Sequence, residues 1–308
     1  MPGTCPICVG SDFEFKGVYR GAHPAFIGMK RAHCKTCKMV FADPMPSDSA
    51  LAEFNASYFT CAHGGKPQSR TATAFFTGIA RLRMAYLEPY LAEHEINVSR
   101  VLELGPGPGF FARNWLKKHP NTIFNAIETD SSCHDSLKEI GVRLVDPAER
   151  QAKEEPFDVI VMSHVLEHVS SPIQFISEAT QNLRKGGALF IEVPCRDWEH
   201  KPIDEPHLLF FDKEPMKRLL GNQGFEEIKV SYHGQKIANL RKASKVDSTI
   251  MALRSKLIGM GLTAPFGQRQ PAMEALTSSL ERAVLAPYLA HRESMEPAWW
   301  LRALAIKT

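Results

Sequence analysis

The sequence predicts an α/β fold in which a parallel β-sheet carries helices on both faces, a small cysteine ribbon precedes the sheet, and a helical insertion interrupts it before the last strand. Three observations carry that prediction. From residue 100 onward, short and nearly all-apolar segments alternate with amphipathic segments of helical period, as expected for strands buried on both faces between covering helices. Two Cys-x-x-Cys pairs fall within the first 37 residues. Residues 235 to about 296 then keep a helical spacing of apolar side chains before a final strand-like run, Trp299–Ile306.

Composition bounds the remaining possibilities. With 308 residues, 44% hydrophobic and 23% charged, the chain matches about two ordinary globular domains rather than a disordered, collagenous or coiled-coil protein. No uncharged apolar run reaches the roughly 18 residues needed to span a membrane, and the N-terminus lacks a basic-then-apolar leader, so a soluble cytoplasmic protein with no membrane partner is expected. A net charge of +3 is too small to imply nucleic-acid binding by itself.

Cys5-Pro-Ile-Cys8 and Cys34-Lys-Thr-Cys37 are separated by 25 residues that include the β-prone Phe13, Phe15, Val18 and Tyr19. Two such turns facing each other offer four thiolates at tetrahedral positions, the donor set of a structural zinc, so Cys5, Cys8, Cys34 and Cys37 are the expected zinc ligands. Cys61, Cys133 and Cys195 have no partner in the spacing and read as small buried side chains. After a last ribbon strand at Met39–Pro44, the Pro46, Ser47, Asp48 sequence reads as a turn and N-cap, which ends the ribbon module near residue 48. Residues 49–99 form a linker and leading helices. Phe76, Ile79, Ala80, Leu87, Tyr90 and Leu91 give one amphipathic helix, or one broken near Pro89.

The main domain is placed at 100–308. Its strands are expected at Arg100–Leu104, Ile123–Glu128, Val142–Val145, Phe157–Ser163 and Ala188–Val193, with helices at Phe110–Lys118, Cys133–Ile140 and Pro172–Leu183. Gly186-Gly187 reads as a stop before the fifth strand. A helix at Lys213–Gln223 ends at Gly224 and feeds a strand at Glu226–Tyr232, after which the insertion occupies 235–296.

The first of these strands runs into its helix through Leu104-Gly105-Pro106-Gly107-Pro108-Gly109-Phe110. The glycines are spaced G-x-G-x-G rather than the G-x-G-x-x-G of a pyrophosphate-binding turn, and the acidic Glu103 within the strand would repel a pyrophosphate and suit a cation. Glu128 closes the second strand, where a carboxylate can accept hydrogen bonds from ribose hydroxyls. With Asp146 after the third strand and Phe157–Val169 at the fourth, residues 73–234 plus the terminal strand resemble the class I S-adenosylmethionine-dependent methyltransferases, which have a Rossmann-like sheet. The resemblance implies that Gly105, Gly107 and Gly109 wrap the methionine part of S-adenosylmethionine, Glu103 holds its ammonium, Glu128 its ribose and Asp146 its adenine amine. The ribbon, the Pro-rich linker and this domain together are similar to a bacterial group whose members methylate sugars and other small metabolites. Sugar C-methyltransferases of that group carry a further C-terminal domain, so O-methylation is the leading expectation and C-methylation an alternative.

His164, Glu167 and His168 lie just past the fourth strand, and His207 lies in the loop after the fifth, where open parallel sheets place their chemistry. The set resembles the Glu-x-x-Glu-His plus distant His of plant small-RNA 2′-O-methyltransferases and, in part, of ubiquinone-pathway O-methyltransferases, with His164 in place of a Glu. Three readings stand side by side. One His is a general base for an acceptor hydroxyl, the four residues hold a second, catalytic divalent metal of transition type, or the cluster is structural. Both functional readings put His168 and His207 at the chemistry.

Lys236, Arg241, Lys242, Lys245, Arg254, Lys256 and Arg269 oppose only Asp247 over residues 236–270, a local excess of six positive charges. The segment reads either as a wall for an anionic acceptor or as a solvated face or homodimer contact. The expected function is methyl transfer to an oxygen of a small sugar-containing or phosphorylated acceptor. An RNA methyltransferase that reads RNA with its ribbon is the alternative, weakened by the few aromatics among the charges.

Overall fold

A computed structural model describes residues 3–56, 70–146, 155–240, 253 and 293–308. Cys61 and most of the basic insertion, including Arg241, Lys242, Lys245, Asp247, Arg254, Lys256 and Arg269, lie outside the described residues.

The ribbon consists of β1 (Phe13–Val18), β2 (Lys30–Cys34) and β3 (Val40–Asp43), paired antiparallel. Helix α1 (Asp48–Ala56) follows, with the Ser47 hydroxyl accepting from the Ala50 N–H. Helix α2 (Arg70–Glu93) is continuous through Pro89, so of the two sequence readings the unbroken helix is the observed one. The main sheet is built from β4 (Arg100–Leu104), α3 (Phe110–Lys118), β5 (Ile123–Ile127), α4 (His134–Glu139), β6 (Arg143–Leu144), β7 (Phe157–Ser163), α5 (Pro172–Thr180) and β8 (Leu183–Pro194). A two-residue β9 (Leu209–Phe210), α6 (Lys213–Asn222), β10 (Phe225–Lys236), α7 (Ile237–Leu240), β11 (Glu293–Ser294) and β12 (Ala298–Lys307) complete the described chain. No helix among the described residues is long and apolar enough to cross a membrane.

The spatial order of the main sheet is β11-β10-β12-β8-β7-β4-β5-β6. Strands β6, β5, β4, β7 and β8 are mutually parallel, and β12 enters antiparallel between β8 and β10. The prediction of a parallel sheet therefore holds for its first five strands. Three details differ from expectation. Gly186 and Gly187 lie inside β8 rather than before it. Their segment is the bulge that separates the Phe157–Leu183 pairing from Val159–Ala188, and Gly186 takes a φ of 69° there, which a glycine adopts at little cost. The helix predicted to run to Leu183 stops at Thr180, because Leu183 already pairs with β7. Strand β10 starts at Phe225 and runs on to Lys236, beyond the expected Tyr232, because β12 pairs with it along that length.

Alternation along the strands sorts the core into two halves. Leu102, Ile160, Met162, Leu189 and Ile191 face one side, while Val101, Val159, Val161 and Phe190 face the other and pack with Tyr90, Phe111 and Trp115. The first half is continuous with the ribbon, whose Ile7, Phe26 and Phe41 are each 1% exposed. Each such fully buried side chain contributes about 1.5–3 kcal/mol. Backbone pairing reinforces the seam, since β9 joins β3 as the fourth strand of the ribbon sheet through Val40–Phe210 and Phe41–Leu209.

Candidate functional site

In an open sheet, ligands bind beyond the carboxyl ends of the strands where the strand order reverses. Here the reversal lies between β4 and β7, and a cavity of about 1430 Å³ opens there, larger than the roughly 300–1,000 Å³ that one small ligand occupies.

The glycine turn forms one wall. Gly105 and Gly107 line the cavity in left-handed conformations, with φ of 61° and 54°. A Cβ at Gly107 would meet none of the described residues within 4 Å, so the backbone there is open to the cavity. Gly109 behaves differently. A Cβ there would come within 2.8 Å of both Leu137 and Ile140, so this glycine permits close packing of α3 rather than ligand contact. The Glu128 carboxylate accepts from Gly107 N at 2.8 Å and from Asp130 N at 2.8 Å, which holds it at the cavity wall beside the turn. Glu103 also lines the cavity and is 3% exposed, and its buried Oε2 has no hydrogen-bond partner among the described residues. Burial pushes its carboxyl up to about 8, with Glu128 adding to the rise and Arg83 opposing it. Asp146, expected at the adenine, is exposed after β6 and lies outside this wall, where Ile127 and Thr129 continue the lining beyond β5.

Three of the four predicted site residues at the far wall converge. Ligand atoms of Glu167, His168 and His207 all lie within 4.8 Å of one another. His164 does not join them from a shared helix face as expected, because the chain makes a single 3-10 turn at Leu166–His168 and His164 sits outside it with a φ of 58°. Its ring instead bridges two carboxylates, with Nδ1 3.2 Å from Glu167 and Nε2 3.5 Å from Glu192. Burial alone would depress the His164 imidazole, but these carboxylates raise it above its ordinary value. Burial lowers His168 to about 4, and the neighbouring His207 and His164 reinforce this against Glu167, so His168 is neutral near pH 7. Glu167 is raised by burial, yet the His164 bond and the surrounding imidazoles bring it below the usual carboxylate range.

His207 is held by a residue that the sequence reading did not single out. Its Nδ1 lies 2.5 Å from Oδ2 of Asp197, a carboxylate 2% exposed. Burial opposes the charge on Asp197, but its His207 bond and Lys201, 3.0 Å away, hold it well below its ordinary value. A carboxylate on Nδ1 selects the tautomer whose Nε2 is free to accept. Glu192 was also missed, although it is an acid within an otherwise apolar strand segment. Fully buried, it takes Arg83 at 2.6 Å on one oxygen and Arg302 at 2.6 Å on the other. Trp299 and Trp300 also line the cavity, stacked with centroids 5.1 Å apart and rings tilted by 6°.

The four ribbon cysteines come together as predicted, with Cys5 Sγ 3.4 Å from Cys37 Sγ and Cys8 Sγ 3.5 Å from Cys34 Sγ. Their two turns share one backbone geometry. Val9 and Lys38, each following the second cysteine of a pair, adopt φ of 60° and 64° and donate to the carbonyls of Cys5 and Cys34. Cys133 and Cys195 are buried, as expected.

No curated protein sequence matches the chain. Similar solved structures include Haemonchus contortus phosphoethanolamine N-methyltransferase 2 in complex with phosphomonomethylethanolamine and S-adenosylhomocysteine, at 15% identity and a TM-score of 0.51. That match covers 87% of this chain and 62% of that one. A SAM-dependent methyltransferase from Archaeoglobus fulgidus matches at 14% identity and a TM-score of 0.48, covering 81% of this chain and 99% of its own. A Thermotoga maritima SAM-dependent methyltransferase, a possible histamine N-methyltransferase, matches at 17% identity and a TM-score of 0.47, covering 84% and 99%. The family model described as a methyltransferase domain matches residues 68–230, more than half of the chain, and these residues include the glycine turn, β7 and the histidine cluster. The chain therefore belongs to the methyltransferase-domain family and is a class I S-adenosylmethionine-dependent methyltransferase.

Proposed function

We propose that the chain methylates a hydroxyl oxygen of a small sugar-containing or phosphorylated acceptor, with His207 as the group that takes the acceptor's proton. One observation carries this reading: His207 stands in the cavity wall with Nδ1 tied to buried Asp197, which leaves Nε2 as an acceptor. S-adenosylmethionine, when bound, supplies the electrophilic methyl group. The residues of the near wall fit it. Gly107 leaves backbone bare and Gly105 lines the cavity beside it, Glu128 is fixed at the wall with acceptor capacity remaining, and the unpartnered Oε2 of Glu103 suits the ammonium. The parallel faces of Trp299 and Trp300 suit the apolar face of a sugar ring or another flat acceptor.

Glu103 provides a test that needs no acceptor. With its carboxyl near 8 it is largely protonated at pH 7, and a cationic ligand beside it drives that proton off. Calorimetry of S-adenosylmethionine binding in buffers of different ionisation enthalpy is expected to show about one proton released per cofactor, and none in Glu103→Gln. Binding without proton release in the unaltered protein would overturn the placement.

The convergence of Glu167, His168 and His207 favours a second reading, in which a divalent metal binds there and lowers the pKa of the acceptor hydroxyl. Imidazole-rich donors select zinc, manganese or iron over magnesium. Labelled S-adenosylmethionine with pools of hydroxylated acceptors, assayed with and without chelator, separates the two. Turnover that survives chelation supports His207 as the base, and turnover that is abolished while the ribbon cysteines keep their zinc, and restored by added metal, supports the metal.

We further infer that Cys5, Cys8, Cys34 and Cys37 bind one zinc, since matched turns and four converging thiols fit a tetrahedral site. Metal analysis is expected to find about one zinc per chain, lost in Cys34→Ser together with protection of the ribbon amides from exchange. Zinc-free protein with the ribbon still protected would refute it.

A further inference from the structure

The loop that carries His207 and the turn that carries Asp197 are both fastened to the ribbon. Asp204, with a fully buried side chain, accepts from Arg20 N at 2.8 Å and from Arg31 Nη1 at 2.9 Å, and also binds the Arg20 guanidinium. The Asp204 N–H returns to the Arg20 carbonyl at 2.8 Å, and the Asp204 carbonyl receives the His207 N–H at 2.9 Å. The next residue, Glu205, accepts from the backbone of Ala22 and His23 through one oxygen. On the far side of His207, Ala42 of β3 donates to the Leu208 carbonyl at 2.8 Å. Beside Asp197, the same two arginines recur. Arg20 Nη2 donates to the Trp198 carbonyl at 2.7 Å, and the Arg31 guanidinium lies over the Trp198 ring at 5.5 Å. The ring of His33 in β2 meets Trp198 edge-on at 5.2 Å.

We propose that the cysteine ribbon is the positioning element for the Asp197–His207 pair, with Arg20, Arg31 and Asp204 as the residues through which it acts. The physical reason is the lack of regular structure around both partners. Residues 201–208 contain no helix or strand, and Asp197 lies in a three-residue turn. Neither segment can hold an imidazole against a carboxylate to within a few tenths of an ångström on its own, whereas two arginines of the ribbon that converge on the fully buried Asp204 carboxylate can. The ribbon then contributes to the reaction without touching either substrate.

The proposal rests on the Asp197–His207 pair as the reacting end of the cavity, and its test avoids any need for the acceptor. In full-length Arg31→Met, the hydrogen-bonded Nδ1 proton of His207 is expected to disappear from the NMR spectrum. Amide exchange across residues 204–210 should rise at least about tenfold, the scale of losing one charge-assisted bond. Affinity for S-adenosylhomocysteine, measured by calorimetry, should stay within about twofold, and zinc content should not change. Arg31→Lys should keep the resonance, because a single nitrogen of Arg31 reaches both oxygens of Asp204 and an ammonium can do the same. Asp204→Asn should behave as Arg31→Met does; if it does not fold, Arg31→Met decides alone. A resonance and an exchange pattern unchanged in Arg31→Met would overturn the proposal. A fully active His207→Ala enzyme, by contrast, would remove the base reading and leave this positioning intact.

Discussion

Replacing His207 with alanine is expected to lower turnover by about 10²–10⁴ while leaving cofactor affinity unchanged, the range for loss of a positioned general base. In the proposed methylation of an oxygen, the hydroxyl proton must leave as the new bond forms, and His207 lines the cavity with Nδ1 held by Asp197, which would leave Nε2 to accept it. Asp197→Asn keeps the shape but can present its amide N–H to Nδ1, reversing the tautomer, so it should lower turnover nearly as much. His168→Ala should cost less under this reading, since burial already holds that imidazole near 4 and makes it a weak base at pH 7. Steady-state rates on an accepted substrate check all three. A His168→Ala, His207→Ala double variant with full activity would leave cofactor-driven proximity as the only source of catalysis.

The second large effect is on stability. Glu192→Gln should cost about 3–5 kcal/mol, because it leaves the Arg302 guanidinium, 1% exposed, and its neighbour Arg83 without the charge they share. Burial opposes ionisation of Glu192, but the two arginines and His164 bring it well below the ordinary glutamate value. A carboxyl whose folded pKa is depressed adds stability above its unfolded pKa of about 4.3 and loses it as pH falls through the folded value. Denaturant unfolding of the native protein should therefore weaken progressively below that pH, and Glu192→Gln should show a flatter acid limb. Equal midpoints for the two proteins at pH 7 would show that the arginines find other partners.

The near wall of the cavity was legible in the sequence because it is local. A strand, three alternating glycines and a helix make the turn within a few residues, and Glu103 and Glu128 follow from strand ends that apolar runs mark plainly. Even there, the spacing suggests Gly109 for the ligand, whereas the place of its absent Cβ is taken up by Leu137 and Ile140, about thirty residues further along the chain. The far wall was legible only as a list. His164, Glu167, His168 and His207 were named from their positions after two strands, but their arrangement depended on a left-handed residue at His164 that helical periodicity could not foresee.

Residue order alone determined what short-range physics determines: the alternation of buried strands and amphipathic helices, the two matched cysteine turns, and the absence of a pyrophosphate-type glycine pattern. The tertiary structure alone decided which charges meet. Asp197 reaches His207 across ten residues, Arg302 reaches Glu192 across 110, and Arg31 reaches Asp204 across 173. No period or spacing encodes such pairs, because Arg302 and Glu192 meet through the register of two strands distant in sequence, and Asp197, Asp204 and His207 are brought to their partners by loops and turns. The same holds for the ribbon. As a sequence it ends near residue 48, yet as a structure it takes its fourth strand from beside His207, because β3 presents an edge that Leu209–Phe210 covers.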